Sequence, residues 1–326
     1  MPGINYIDSI QNFWRVCSGI NDISRKRVVR LLEEVLNTRD YPLTIMDRPI
    51  ESETAKIIEN SYRATILAFL NEWSFFAENN GIDITKIVKA IKVRPTHNNI
   101  MFPGPGIGGY CLPKDGALGI WANHHIFKQE ENLFPLTTAA ININDTRSFH
   151  AVELVQEALT ELDIPVEGSK IAVLGASYRE EVGDTRNSGS EIVVRKLAEL
   201  GATVKVHDPY VEDWPELKAV SGRSIFFTNQ ESLKDMTVEK QLSSVLAGVH
   251  AVILAVPHQQ YLNLYPDEMV TQILTKGSLN NKKPAIIDCF GILTDRHIHR
   301  YLQLGCVVRG LGRGHIKKMK GPETDS

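Results

Sequence analysis

Residues 170–209 read KIAVLGASYREEVGDTRNSGSEIVVRKLAELGATVKVHDP, and the order of textures in that stretch decides the fold. Lys170 to Gly175 is a short apolar run closed by glycine, which marks a buried strand. Ser188 to Leu200 reads as a helix, and Thr203 to His207 is a second strand. Strand, turn, helix and strand in succession form one βαβ unit. Ala251 to Val256 and Ala285 to Asp288 read as further buried strands, so residues 168 to about 314 are expected to form a doubly wound α/β domain on a parallel sheet.

The turn inside this unit admits three readings. A dinucleotide-binding turn carries GxGxxG so that the backbone can approach a pyrophosphate, and an acid at the end of the second strand then meets the ribose. Asp208 stands where such an acid would be, but Gly175 is alone, followed by Ala176, Ser177, Tyr178 and Arg179. A nucleotide site of another kind and a tight turn that needs Gly175 only for its geometry remain open. Arg179 and Arg186 favour a nucleotide, because their forked donors suit a diphosphate.

The chain has 326 residues, enough for two cores, with 36 Lys and Arg against 39 Asp and Glu and a formal net charge of -3. That balance argues against a general grip on nucleic acid or an anionic membrane surface. No apolar run approaches the roughly 20 residues that cross a bilayer, and a soluble cytoplasmic protein is expected. The four cysteines, Cys17, Cys111, Cys289 and Cys306, form no CxxC pair and have no histidines at ligand spacing, so neither a disulfide framework nor a metal site is expected. Cys17 and Cys306 read as buried apolar residues of strands.

Ahead of the α/β domain the pattern is mostly helical. Phe13 to Ile20 reads as a strand, Asn21 to Leu36 as a helix with Val28, Val29, Leu32 and Val35 on its inner stripe, and Leu43 to Met46 as a second strand. Ser52 to about Asn79 is one long helix with apolar residues on more than one face, as expected inside a domain or across a dimer axis. Ile84 to Lys92, Asp115 to His124 and Leu136 to Leu162 read as further helices, the last long enough to join two domains. The expected organisation is 1–47, a central helical domain 48–145, a connecting helix 146–167, the α/β domain 168–314 and a polar tail 315–326.

Residues 102–115, FPGPGIGGYCLPKD, place Cys111 behind a glycine-rich loop and ahead of a helix. A thiol at a helix N-terminus with Lys114 close by has reason to ionise, and Asp115 could hold a water or pass a proton. A loop that packs tightly for its own sake would look the same. Lys56 and Asn60, four apart, share one face of the long helix. They suit a developing oxyanion, and equally an ordinary solvated face.

Taken in order, ETAKIIENSYRATILAFLNE, GPGIGGYCLPKD, PLTTAAININD and KIAVLGASYREEVGDTRNS with VKVHDP resemble the nucleotide-sugar 6-dehydrogenases, which oxidise UDP-glucose, UDP-N-acetylmannosamine and relatives to uronic acids with NAD. The likeness runs over nearly the whole chain. It implies a helical central dimerisation domain followed by a Rossmann-like UDP-binding domain, with Cys111 as the nucleophile that forms a thiohemiacetal and then a thioester. It further implies that Lys56 and Asn60 steady the oxyanion, and that Asp115 assists the hydrolytic water. Gly106, Gly108 and Gly109 would cradle the sugar nucleotide and Arg179 and Arg186 would face the UDP. Arg94 would reach the nucleotide of a neighbouring subunit in a homodimer built through 52–79.

The pattern departs from that family at the front. Residues 1–47 resemble only the last strand, helix and strand of the family's NAD-binding Rossmann domain, and no GxGxxG precedes the long helix. Three outcomes are open: a piece of a dehydrogenase, inactive alone, a short paralogue that binds a UDP-sugar without oxidising it, or a chain that serves mainly as a dimerising scaffold. Apolar surface at 13–20 and 43–46 should then lie uncovered. The segment IIDCFGI also departs from the family's arginine-bearing DTRN form.

Overall fold

The computed structural model describes residues 6–131, 133–218, 227–228, 230–274 and 282–319; the far end of the expected polar tail lies outside them. The chain divides into two compact units, residues 1–63 with 114–138, and residues 64–113 with 139–326. Each is described by itself.

In the first unit, α1 (Tyr6–Gln11) leads to β1 (Val16–Cys17), α2 (Asp22–Val35) and β2 (Thr44–Ile45). Asn21 caps α2 by accepting from Ser24 N, while the Ser24 side chain accepts from Asn21 N, a reciprocal closure of two orphan donors. β1 and β2 pair in parallel over two residues only, Val16 with Thr44 and Cys17 with Ile45. The eight-residue strand expected from Phe13 to Ile20 is therefore not formed. A parallel ladder propagates only as far as neighbours cover it. α2 buries no residue: of its expected inner stripe, Val28, Val29 and Leu32 are half-buried and Val35 is exposed. Phe13, Trp14, Val16, Ile20, Ile23 and Ile45 are exposed as well.

The long helix is α3 (Pro49–Asn80), and from Ala64 onward it belongs to the second unit. There Ala64, Ala68, Leu70 and Ala77 are buried while Phe69, Trp73 and Phe76 face solvent. α4 (Ile84–Lys92) follows, then α5 (Leu112–His125) and α6 (Pro135–Glu161). Ala151, Val152, Leu154, Val155, Ala158 and Leu159 of α6 are packed into the core of the sheet described next.

That sheet has six parallel strands in the order β5-β4-β3-β6-β7-β8: β3 (Lys170–Leu174), β4 (Thr203–His207), β5 (Val238–Glu239), β6 (Ala251–Leu254), β7 (Ala285–Asp288) and β8 (Val307–Gly310). The chain winds outward from β3 to β5, then returns beside β3 to build β6 to β8, which is the doubly wound arrangement. Alternate residues of one strand serve opposite layers. Ile171 and Val173 pack with α6 and with α7 (Gly189–Glu199). Ala172 and Leu174 pack with the helices of the other face, α10 (Leu242–Leu246), α12 (Pro266–Leu274) and α13 (Asp295–Gln303). Between them, α8 (Pro215–Lys218), α9 (Glu231–Lys234) and α11 (Gln259–Leu262) are single turns. Among the described residues no helix is long and apolar enough to cross a membrane.

Candidate active site

In the second unit the glycine loop is held from below and from the side. Lys92 Nζ donates to the carbonyls of Asn98 and Ile100, each at 2.8 Å, and draws in the segment that leads to the loop. The Ser148 hydroxyl donates to the Pro105 carbonyl, and Arg147 Nε donates to the Gly104 carbonyl at 3.4 Å. At the side stands the segment after β3. Gly109 N donates to the Arg186 carbonyl at 2.8 Å, and Asn187 Nδ2 donates to the Gly109 carbonyl at 3.0 Å. A Cβ on Gly108 would lie 2.4 Å from Tyr178 Cβ, and Gly109 has φ +85° with the Tyr178 ring against it. Both positions therefore require glycine.

This docking carries the loop to Cys111, which is exposed while Cys17, Cys289 and Cys306 are buried. Burial pushes the Cys306 thiol up to about 12. Cys111 directly precedes α5, with Leu112 first and Pro113 second in the helix. Arg186 lies 5.4 Å from the centre of the Tyr110 ring. Its Nε and Nη2 donate to Asp184 at 2.9 and 2.6 Å, and these bonds hold the Asp184 carboxyl below the usual carboxylate range. Arg179 is half-buried beside Tyr178. Arg94 is exposed in the turn after α4.

The first unit contains the other polar group. Asn60, 1% exposed, donates from Nδ2 to Asp115 Oδ2 at 2.6 Å. Lys114 Nζ reaches Asp115 Oδ1, also at 2.6 Å. Each carboxylate oxygen of the buried Asp115 thus has a donor, and its charge has a cation. Lys56 is not in this trio. It is exposed and pairs with Glu59 at 3.1 Å.

The turn after β3 is closed from within. Asp208 is fully buried, and its Oδ2 accepts from Ala176 N at 2.8 Å and Ser177 N at 3.0 Å. Its Oδ1 accepts from Tyr210 N at 2.8 Å and Val211 N at 3.1 Å. Burial alone would raise this carboxyl, but His258 and the backbone donors hold it down at about 2. A Cβ on Gly175 would lie 2.4 Å from Val256 Cβ, so the glycine serves close packing of adjacent strands. The amides that would meet a pyrophosphate hold the protein's own carboxylate instead.

Two models of one family match the chain. The central domain of the UDP-glucose/GDP-mannose dehydrogenase family matches residues 50–146, and its UDP binding domain matches residues 172–295; together they take in about two thirds of the chain. The chain belongs to that family. It is 25% identical over 318 residues, 97% of its own length and 63% of the other, to a UDP-N-acetyl-D-mannosamine dehydrogenase of Pyrococcus horikoshii. To the enzyme of that name from Methanocaldococcus jannaschii it is 27% identical over 293 residues, 90% of this chain and 58% of the other. The solved NDP-N-acetyl-D-galactosaminuronic acid dehydrogenase of Methanosarcina mazei superposes with a TM-score of 0.78 at 25% identity, over 95% of this chain and 60% of the other. The chain thus spans about three fifths of the length of these relatives.

In this UDP-glucose/GDP-mannose dehydrogenase family member, sequence reasoning named Asn60 and Asp115 separately and did not find their bond, because the two are 55 positions apart in sequence. It also missed Tyr178, Asp184 and Asn187, whose signal is their place in the turn after the first strand of the sheet. Asp83, Asp295 and His315 bring ligand atoms within 4.8 Å of one another. Arg313 already enters that group, 3.3 Å from Asp83 and 2.9 Å from Asp288, and Lys86 pairs with Asp295 at 2.5 Å. A groove of about 620 Å³ between Tyr265–Asp267 and Arg296–Gln303 shares no residue with the cysteine loop.

Proposed function

We propose that this chain binds a UDP-sugar and carries the nucleophile of a nucleotide-sugar 6-dehydrogenase. The observation that supports it most is the docked glycine loop, which is tied at Gly109 to the Arg186 carbonyl and leads directly to the exposed Cys111. In this reading Gly106, Gly108 and Gly109 let the backbone approach the sugar nucleotide, and Arg179 and Arg186 face the UDP. Arg94 serves a neighbouring subunit of a homodimer whose contact includes the exposed aromatic stripe of α3.

NAD is the hydride acceptor the family implies, and the turns present here do not fit it. At the turn after β3, Asp208 fills the amides; at the turn after β1, Asn21 takes the Ser24 amide at the start of α2. Residues 1–47 are read as the last part of an NAD-binding domain. The chain's own residues serve two steps that need no dinucleotide. In the first, the Cys111 thiolate adds to a C6 aldehyde, forming the S–C bond while Lys56 and Asn60 stabilise the oxygen that takes up the electron pair. In the second, water attacks a thioester at Cys111, Asp115 assists removal of the water's proton, and the S–C bond breaks as thiolate leaves. Domain limits at 48–145 and 168–314 belong to the same reading.

The 326-residue chain should bind UDP in a calorimeter and give no sustained NADH absorbance with NAD and UDP-glucose or UDP-N-acetylmannosamine. Absence of UDP heat would defeat the binding reading, and steady turnover would defeat the claim that these turns hold no NAD. The closed turn after β3 also favours a second reading, a paralogue that binds UDP-sugar without oxidising it. Stoichiometric capture of a UDP-sugar 6-aldehyde at Cys111 distinguishes the two, since a pure binder forms no adduct.

A further inference from the structure

Residues 177–188 form a closed loop whose ends meet, with Ser188 Oγ donating to the Ser177 carbonyl at 3.1 Å. One side of this loop is the wall that carries Gly109 and Tyr110. The other side rests on His258, which follows β6 at the point where the strand order reverses. His258 is fully buried, and three residues converge on its ring. Nδ1 accepts from Glu181 N at 3.1 Å. Nε2 lies 3.1 Å from Asp208 Oδ2 and 3.1 Å from Ser177 Oγ.

These contacts define the proton on the ring. Nδ1 faces a backbone N–H, so it holds a lone pair, and the hydrogen is on Nε2. The Ser177 hydroxyl donates to the Arg179 carbonyl at 2.8 Å, which leaves its oxygen to accept from Nε2 together with Asp208. The serine, histidine and aspartate are therefore no hydrolytic triad, because acid and hydroxyl share one ring nitrogen and all three are buried. Their arrangement fixes backbone. Glu181 has φ +56°, and it is pinned by the bond to His258, by Gln259 N donating to its carboxylate at 2.8 Å, and by the Tyr210 hydroxyl.

We propose that His258 is a positioning residue for Cys111. With Nδ1 accepting from Glu181 N, it holds the turn at Glu181, which sets the 177–188 loop, and that loop sets Gly109 and the cysteine through the Gly109–Arg186, Asn187–Gly109 and Tyr178 contacts. The proposal rests on the reading of Cys111 as the reacting group, while the contacts that carry it do not. The bond that matters is the one at Nδ1. Asp208 has four backbone donors and can lose a fifth.

The test compares His258→Asn with His258→Gln in the full chain. Asparagine can place its oxygen near the position of Nδ1 and accept from Glu181 N; glutamine restores the outer position instead. Two readouts are followed: hydrogen exchange of the peptide spanning Gly106 to Cys111, and iodoacetamide alkylation, which reports on Cys111 because the other three thiols are buried. In the glutamine variant, exchange at Gly109 should rise about five-fold, the size of one lost hydrogen bond, and the alkylation rate should shift with it. The asparagine variant should stay within about two-fold of wild type, whatever the two unfolding midpoints. Equal changes in both variants, or none in either, would overturn the proposal. Titration of wild type with UDP reports separately on the functional reading.

Discussion

Two strand–helix–strand units of the chain have opposite results. From β3 through α7 to β4, five residues pair in register on each side, and Ile171, Val173 and Leu174 are wholly buried. From β1 through α2 to β2 only two residues pair, and α2 buries nothing. Both start from apolar strands and a capped helix. The difference lies in cover: parallel strands bury both faces, and the six-stranded sheet has helices on each side. The β1–β2 pair leaves Val16 and Ile45 exposed. Local pattern specifies an element's type, and cover decides its length and its contribution to stability.

The widest separation between the two regions should come from matched truncations. Ile253→Ala in β6 removes a wholly buried side chain and should cost about 2–5 kcal/mol. Ile45→Ala in β2 removes a side chain that is 52% exposed and should change stability by no more than about 0.5 kcal/mol. Urea midpoints of the two variants check this. Equal losses would show that the β1–β2 face is covered in solution.

Legibility followed the same division. β4 and β7 match their expected limits of Thr203–His207 and Ala285–Asp288: β7 is a continuous buried run, while β4 is exposed at Thr203 and Lys205 and is marked by its alternating β-branched residues and the turn that follows. α4 also matches, with Asp83 as its cap. β5 has two residues and gives no periodic signal. In the candidate site, Cys111 and its glycines were visible because they are contiguous. His258 was not, because its partners Asp208, Glu181 and Ser177 are 50, 77 and 81 residues away and meet it only once the strands are ordered. Arg186 was legible as a forked donor, but not its engagement with Asp184 two residues earlier, which depends on how the loop turns.

A smaller effect should appear in acid, again confined to the covered region. Asp208 is held at about 2 in the fold against 3.8 for a free aspartate carboxyl. A depressed carboxyl contributes stability above its unfolded value and loses it as pH falls through the folded one. The expected window is pH 4 down to 2, and the amount is about 2 kcal/mol at 1.36 kcal/mol per pH unit. Asp208→Asn should flatten the stability profile in that window, as followed by fluorescence-monitored urea unfolding between pH 2 and 5. A wild-type profile already flat there would mean that the carboxylate is not the anchor of the turn.

The smallest expected effect has the opposite sign with pH and tests how the helices of the second unit are tied to its sheet. His150 on α6 lies 2.6 Å from Glu78 of α3 through Nε2 and 2.7 Å from Glu153 through Nδ1, and Glu78 also accepts from Gly312 N at 2.6 Å. Burial works against charge on the ring, and Arg147 does so as well, but the two carboxylates prevail and its pKa is raised above 6.5. Both ring nitrogens can donate only in the protonated form. The clamp is therefore complete below the unfolded value of 6.5 and is lost as pH rises through the folded value. Wild type should lose stability above pH 6.5 relative to His150→Gln, which has no proton to release. Thermal midpoints of both proteins from pH 6 to 9 measure the gap. A gap that does not narrow as pH rises would show that His150 joins these helices as a neutral ring, and that the hydrophobic layers alone secure α3 and α6 to the sheet.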